Sequence, residues 1–258
     1  MCELLGLCFN LPVDPKISFK GFRYRGVDNG DGWGLAFYPD KSAVIIKEPI
    51  NSFKSDLSQF ISEYPVIRSK IFIGHVRRSS VGSISYMNTH PFKRELNGRD
   101  YIFAHNGTIY IDRKVFRLGR LKPIGETDSE YIFCYILSLI EDRGIDRWGV
   151  QGFKWLREIF RRINRYGTLN CLMSEGQHLF VYRDIHGYKS LKILRRAPPY
   201  RRIHLKYNSL VFNLDAEKDP RQRGYIIATE ALTDEDWLDL PPGELYVFRD
   251  GELIFPTG

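Results

Sequence analysis

The chain has few cysteines and no long apolar run. Its four cysteines form no CxxC pair, which argues against a disulfide scaffold or zinc site and favours reduced thiols. The six histidines are scattered without the spacing of metal ligands, so no metal or cofactor is expected. No stretch has the length of a transmembrane helix, and Glu3 stands where a secretory signal would be basic. We therefore expect a cytoplasmic protein without membrane contact.

Negative charge is in deficit as well. The chain has 38 Lys and Arg against 31 Asp and Glu, a formal net charge of +7, which permits binding to nucleic-acid phosphates. One arginine group has the spacing of the polar face of an amphipathic helix, and the other surrounds Pro198-Pro199. The two groups are Arg157, Arg161, Arg162 and Arg165, then Arg195, Arg196, Arg201 and Arg202. Because no recognised nucleic-acid motif accompanies them, nucleic acid is not the expected partner.

Most of the chain consists of short apolar segments typical of strands. With 258 residues, 43% of them hydrophobic, it can bury a large core as one domain or as two fused halves. Many segments are apolar on both sides, which predicts sheets covered on both faces. Hairpin turns are predicted at Glu175–Gly176 and Asp250–Gly251. The predicted strands are Cys2–Phe9, Gly34–Tyr38, Ala43–Lys47, Lys70–Val76, Tyr101–His105, Thr168–Ser174, Gln177–Asp184, Ser209–Asn213, Tyr225–Thr229, Glu244–Arg249 and Glu252–Phe255.

Helices are fewer and lie mainly in the centre of the chain. The segment Thr127-Asp-Ser-Glu130 is a capping box, in which each of the two end residues satisfies the other's backbone amide, and the helix it opens should end near Gly144. Other predicted helices cover Ser52–Ser62 and about Val150 to Tyr166. Two tandem helices between blocks of strands indicate an α+β layered sandwich. The segment Arg195–Asp219 is predicted to be a long irregular excursion.

Cys2 is the first candidate for chemistry. If Met1 is removed, Cys2 presents a thiol beside a free α-amine, so one residue carries both a nucleophile and a base. The strand-like run that follows would hold it in place. Any protein can have cysteine after methionine, so this interpretation depends on partners elsewhere in the chain.

Three other segments place polar groups at the ends of apolar segments. Arg77 follows a buried run, and its guanidinium suits bidentate capture of a carboxylate, although an ordinary surface ion pair is equally compatible. Asn106-Gly107 is by itself best explained as a tight hairpin turn, but a side-chain amide beside a glycine N–H can also form an oxyanion hole. Asp128 lies in the first turn of a helix, where it stays ionised and could hold an ammonium group. Together with Cys2 these groups form a receptor for a free amino acid with a side-chain amide, which describes glutamine.

The chain resembles the class II glutamine amidotransferases, a family of N-terminal-nucleophile hydrolases. The matching segments are MCELLG at the start, NGDGWGLAFY at 29–38, GHVRRSS at 74–80, NTHPF at 88–92, FAHNGTI at 103–109 and ETDSE at 126–130. The segment IIATEAL at 226–232, with Trp237 and Pro242-Gly243-Glu244, resembles the C-terminal part of the stand-alone subgroup, whose members consist of the glutaminase domain alone.

The resemblance implies a four-layer αββα sandwich in one domain over residues 1–258, with Met1 removed. It implies that Cys2 is the nucleophile, that Asn106 and Gly107 form the oxyanion hole, and that Arg77 and Asp128 bind the substrate carboxylate and amino group. By the same resemblance Ser80 lies near the substrate, Trp33 and Gly34 belong to a segment beside the nucleophile, and His90 belongs to a loop behind the site. We assign His90 a structural role.

The expected reaction is hydrolysis of glutamine to glutamate and ammonia through a thioester on Cys2. Two features differ from synthetase-fused relatives: Arg78 replaces the aromatic residue that often follows the site arginine, and no ammonia-accepting domain is visible. A separate acceptor enzyme is therefore a possible partner. One alternative keeps the chemistry and makes the substrate a γ-glutamyl peptide or γ-glutamyl thiol conjugate. The alternative from another class is a non-catalytic subunit that binds a partner.

Overall fold

The computed structural model describes residues 2–65, 67–207 and 210–256. Fifteen strands and five α-helices are found in this part of the chain. The strands are β1 Glu3–Val13, β2 Trp33–Phe37, β3 Val44–Glu48, β4 Ser69–Val76, β5 Phe92–Leu96, β6 Arg99–Ile109, β7 Gly167–Ser174, β8 Leu179–Tyr182, β9 Lys192–Arg196, β10 Arg202–His204, β11 Val211–Asn213, β12 Gly224–Ala228, β13 Leu238–Asp239, β14 Leu245–Arg249 and β15 Glu252–Phe255. The helices are α1 Lys16–Arg23, α2 Asp56–Glu63, α3 Asp128–Asp142, α4 Val150–Asn164 and α5 Leu214–Glu217.

Two large antiparallel sheets form the centre of the molecule. The first has the strand order β13-β9-β12-β1-β4-β2-β3, and the second has the order β15-β14-β8-β7-β6-β5. Successive side chains along each strand point to opposite faces of its sheet. On β7, for example, Leu172 packs between the sheets whereas Cys171 and Met173 pack against the helices. Each large sheet therefore buries apolar residues on both faces, as the sequence predicts.

Three apolar cores hold the layers together. One lies between the two sheets, one joins the second sheet to α3 and α4, and one joins the first sheet to α1. The order of layers is therefore helix, sheet, sheet, helix, which confirms the predicted α+β four-layer αββα sandwich. None of the described helices is long and apolar enough to cross a membrane.

The Asn106-Gly107 pair shows where local turn propensity gives a wrong prediction. This pair lies inside β6, where Asn106 and Gly107 pair with Asn170 and Leu169 of β7. The tight turn before β6 is formed instead by Asn97 and Gly98, both with positive φ. Pairing along the full length of β6 and β7 outweighs the turn preference of the dipeptide. The predicted turn at Asp250–Gly251 is confirmed by positive φ at both residues and by the pairing of β14 with β15.

The structure also contains regular elements beyond those predicted from the sequence. Helix α1, β5, β9 and the short strands β10 and β13 were not predicted. The segment Arg195–Asp219, predicted as irregular, contains the end of β9, the β10–β11 pair and α5. Ser209, the first residue of one predicted strand, lies outside the described residues, whereas Val211–Asn213 form β11.

The predicted cap of α3 is half confirmed. The Thr127 hydroxyl accepts a hydrogen bond from the Glu130 amide at 3.2 Å, as a capping box requires. The Glu130 carboxylate does not bond back to Thr127 but accepts from the Gly125 amide at 2.7 Å and pairs with Arg94. The start of α3 is therefore joined to the preceding loop and to β5, which fixes its first turn beside the end of β6.

Candidate active site

The candidate site lies where three neighbouring strands of the first sheet end together. Glu3 of β1 and Trp33 of β2 both stand opposite Val76 of β4. The next residues outward, Cys2 before β1 and Arg77 after β4, are therefore neighbours at the ends of these two central strands. The Arg77 backbone amide donates to the Gly32 carbonyl at 2.7 Å, which extends the pairing to this point.

Cys2 is partly exposed, whereas the other three cysteines are buried. Its Sγ lies 3.3 Å from the Arg78 amide and 3.2 Å from the Arg78 carbonyl. Burial raises the pKa of the Cys2 thiol, whereas the Arg78 amide and the Arg77 guanidinium act in the opposite direction. A thiol with a raised pKa requires a base to become a nucleophile at neutral pH.

The difference in burial predicts selective alkylation. Burial raises the pKa of Cys8 to about 12 and that of Cys134 to about 11, and Cys171 is shifted upward as well. Iodoacetamide should therefore modify Cys2 alone in the folded protein and all four cysteines in denaturant. Peptide mass spectrometry of both samples checks this. Rapid modification of a second cysteine without denaturant would contradict the described packing.

Asn106 brings the second sheet to Cys2. Its side-chain Nδ2 donates to the Cys2 carbonyl oxygen at 2.7 Å. Since a side-chain amide carries two N–H groups, one can hold Cys2 while the other points to a reacting oxygen. The next residue, Gly107, has φ +155°, and a Cβ there would lie 2.1 Å from the Thr168 carbonyl oxygen. Only glycine fits, because the neighbouring strand approaches its backbone so closely.

Arg77 is buried and holds the loop that follows it. Its guanidinium donates to the carbonyl oxygens of Ser83, Val81 and Gly82 at 3.1, 3.0 and 3.3 Å. Ser80 is exposed on this loop. In the structure described here the arginine predicted to bind a carboxylate is therefore occupied by backbone carbonyls.

Asp128 connects the start of α3 to the end of β6. Its Oδ2 accepts a hydrogen bond from the Ile109 amide at 2.7 Å, and the side chain is almost buried. Asp128 is thereby tied to the same strand that carries Asn106 and Gly107.

Trp33 and Gly34 begin β2, which is separated from β1 by β4, and so they differ from the other predicted residues. The Trp33 side chain is fully buried in the core under α1, 5.7 Å from the ring of Phe19, and its indole N–H donates to Glu48. The structure therefore does not bring this side chain to the site. At Gly34 a Cβ would lie 2.3 Å from the His90 carbonyl oxygen, so glycine allows the loop at His90 to pack against β2.

His90 lies behind the site and is buried. Its ring stacks on His75 with centroids 4.2 Å apart, and burial lowers the pKa of both rings. Neutral stacked imidazoles in the interior agree with the structural role assigned to His90. Among residues 2–65, 67–207 and 210–256, no three His, Cys, Asp or Glu side chains are grouped to hold a metal ion.

Two functional groups were missed from the sequence. Glu126 accepts hydrogen bonds from the Ser83 amide and from the Asn88 side chain, at 3.1 and 3.2 Å, and so fixes the loop held by Arg77. Lys189 extends its Nζ to within 3.4 Å of the Cys2 carbonyl oxygen. Glu126 begins the ETDSE segment but was not singled out there, and Lys189 lies in no segment with a recognisable pattern. Both contacts join parts of the chain that are far apart in sequence.

Comparison with known proteins places the chain in a family. The model of the family described as "Glutamine amidotransferases class-II" matches residues 1–257. An uncharacterized protein of Methanocaldococcus jannaschii is 48% identical over 99% of this chain and 71% of its own length. The Escherichia coli protein named putative glutamine amidotransferase YafJ is 34% identical over 98% of this chain and its own full length.

A more distant relative and a solved structure agree with this placement. The gamma-glutamyl-hercynylcysteine sulfoxide hydrolase of Mycolicibacterium smegmatis is 24% identical over 89% of this chain and 82% of its own length. The crystal structure of a predicted glutamine amidotransferase from Pseudomonas aeruginosa superposes with a TM-score of 0.71 at 28% identity, covering 98% of this chain and 99% of that one. The chain therefore belongs to the class II glutamine amidotransferases.

Proposed function

We propose that this protein hydrolyses the side-chain amide of glutamine to glutamate and ammonia, with Cys2 as nucleophile. The supporting observation is the contact of 2.7 Å between Asn106 Nδ2 and the Cys2 carbonyl, which joins the accessible cysteine to a potential oxyanion donor. The proposal treats residues 1–258 as one catalytic domain and requires removal of Met1, which lies outside the described residues.

The proposed reaction has two steps. The free α-amine of Cys2 takes the thiol proton, directly or through one water, and the thiolate attacks the side-chain carbonyl. Asn106 and Gly107 donate hydrogen bonds to the oxyanion of the tetrahedral intermediate. As this intermediate collapses, the C–N bond of the side-chain amide breaks. The protonated α-amine of Cys2 gives its proton to the leaving nitrogen, which departs as ammonia. Water activated by the same amine then cleaves the γ-glutamyl thioester and releases glutamate.

The substrate is oriented by the binding of its α-amino and α-carboxylate groups. In this proposal the carboxylate replaces the loop carbonyls on Arg77, because a charge-assisted bidentate pair is stronger than bonds to neutral carbonyls. Asp128 binds the ammonium group of the substrate, and Ser80 lies near the substrate on the loop that follows Arg77. Trp33 and Gly34 act through β4, the strand that separates them from the nucleophile.

The direct test is an assay of the purified protein with glutamine, in which glutamate and ammonia are measured together. Mass spectrometry of the intact protein must first show that Cys2 is the N-terminal residue. Equal amounts of the two products support the proposal. Their absence from a sample with a free N-terminal cysteine would refute it.

Replacing Asp128 tests the binding of the substrate ammonium. We expect Asp128→Asn to raise KM about tenfold to a hundredfold with a smaller change in kcat, because it removes an ionic contact made in both the ground and the transition state. Arg77→Ala should also chiefly raise KM. The matched control is Asp142→Asn, an exposed change at the other end of α3. Unchanged saturation kinetics in Asp128→Asn would remove this residue from the site.

A second candidate function is hydrolysis of γ-glutamyl peptides or γ-glutamyl thiol conjugates. It is favoured by the similarity to the Mycolicibacterium smegmatis hydrolase, whose name states a γ-glutamyl substrate. The groups described above recognise only the glutamyl half, so they accept either leaving group. Competition among glutamine, glutathione and other γ-glutamyl compounds, compared by kcat/KM, separates the two. Should glutamine be preferred, a separate ammonia-consuming enzyme is the partner to seek.

A further inference from the structure

A buried cluster of charges lies directly behind the nucleophile. The Glu3 side chain is 2% exposed, and its carboxylate contacts the Lys189 ammonium at 2.5 Å and the Arg25 guanidinium at 3.1 Å. The Thr229 hydroxyl also donates to this carboxylate. The neighbouring residue in the chain is Cys2, so the cluster is attached to the nucleophile through a single peptide unit.

Lys189 connects this cluster to the main chain of Cys2. Its Nζ lies 3.4 Å from the Cys2 carbonyl oxygen, which also accepts from Asn106. The backbone of Lys189 is in the left-handed region, with φ +48°, and its carbonyl accepts a hydrogen bond from Asn170 at 3.3 Å. Asn170 stands opposite Asn106 in the second sheet. Asn106, one member of this facing pair, is itself a donor to the Cys2 carbonyl. Asn170, the other member, holds the backbone of Lys189, the second donor.

The other side of the cluster is closed by a second layer of contacts. Arg25 pairs with Glu230 at 2.8 Å and lies over the ring of Tyr207, 4.7 Å from its centroid. Tyr207 donates to Glu230 at 2.8 Å. Because each charge has an opposite partner, the buried Glu3 carboxylate is held in one position rather than left to rotate.

We propose that Glu3 and Lys189 are positioning residues that hold the Cys2 main chain and balance the charge around its thiol and amine. This inference rests on the proposed function, in which Cys2 is the nucleophile. The arrangement leaves the Cys2 carbonyl fixed by two donors, so the thiol and the α-amine on the same residue keep one orientation toward the substrate. Small displacements of a reacting group cost large factors in rate.

The charged groups around Cys2 make the proposal testable by pH. They are Glu3 on β1, Arg77 and Arg78 after β4, Lys189 before β9 and Arg25 behind Glu3, and the neutral but titratable Tyr188 lies next to Lys189. The contact from β6 is the neutral Asn106. An anion near the thiol disfavours the thiolate, whereas a cation favours it. Removing Glu3 and removing Lys189 must therefore shift the titration of Cys2 in opposite directions.

The experiment measures the rate of Cys2 alkylation by iodoacetamide against pH in four proteins, each with its N-terminus verified by mass spectrometry. Relative to the wild type, we expect the midpoint to fall by about one pH unit in Glu3→Gln and to rise by about one unit in Lys189→Met. The double variant, with both charges removed, should return near the wild-type midpoint. With γ-glutamyl substrates, Lys189→Met and the double variant should lose about tenfold or more in kcat at a KM within about twofold.

The matched control is Lys192→Met, which removes a lysine paired with Asp239 at the protein surface and should change neither midpoint nor kcat. The proposal would be overturned if the alkylation midpoints of Glu3→Gln and Lys189→Met moved in the same direction. It would also be overturned if both midpoints stayed at the wild-type value while only the melting temperature fell. If Glu3→Gln does not fold, Lys189→Met decides it together with Lys189→Arg, which should keep the wild-type midpoint. Alkylation does not require turnover, so opposite shifts in a protein without hydrolytic activity would refute the proposed function and support the positioning role.

Discussion

Replacing Cys2 by alanine is expected to reduce release of glutamate by about 10⁴-fold or more, because the variant cannot form the thioester. The structure makes this residue the sole candidate thiol, since Cys8, Cys134 and Cys171 are all buried. The measurement is glutamate formation at saturating substrate, with a folded variant confirmed by its thermal transition. The expected loss lies in kcat, since the groups proposed to bind the substrate are left in place.

The matched control is Cys8→Ala, on the same strand but in the core between the sheets. Loss of its buried Sγ should cost about 1 kcal/mol in the free energy of unfolding and leave kcat unchanged. Substantial activity in Cys2→Ala would exclude the thioester mechanism. Loss of activity in both variants would show instead that disturbance of β1, and not loss of the thiol, is responsible.

The layered fold could be predicted from the sequence because its strands and its two longest helices have strong local signals. Apolar residues on both faces, as in β4 and β7, are typical only of sheets that are covered on both sides. The Thr127 cap fixed the start of α3 within one residue. Short edge elements such as β13 were missed, since one neighbouring strand stabilises them and their own sequence carries no periodicity.

The candidate site was only partly accessible to sequence reasoning. Cys2, Arg77 and Asp128 border regular elements, so their clustering could be expected, whereas Asn106 lies inside β6 and not in the turn that its sequence favours. The side-chain directions could not: Trp33 faces the core under α1, and Arg77 is bound to the carbonyls of its own loop. The contact of Lys189 with Cys2 joins residues 187 positions apart through a loop, and no local pattern encodes it.

The second large effect is expected for Asn106→Ala. Removal of one oxyanion donor should lower kcat by about 10² to 10³, or about 3–4 kcal/mol, with little change in KM, because the oxyanion exists only in the transition state and intermediate. Pre-steady-state release of ammonia measures formation of the thioester, so the loss should appear in that first step. The structure adds a second cause, since Nδ2 of Asn106 also holds the Cys2 carbonyl.

These two causes can be separated. Loss of the oxyanion donor affects turnover alone, whereas displacement of Cys2 also changes its reactivity toward iodoacetamide. We therefore expect Asn106→Ala to alkylate at a rate within about threefold of the wild type while kcat falls much further, because Lys189 still holds the Cys2 carbonyl. The matched control is Asn10→Ala, at the far end of β1, where the side chain bonds the backbone of Arg221 and Arg223. Full activity in Asn106→Ala would assign oxyanion stabilisation to other donors, and a parallel loss of alkylation would make Asn106 a support for Cys2 and not a catalytic residue.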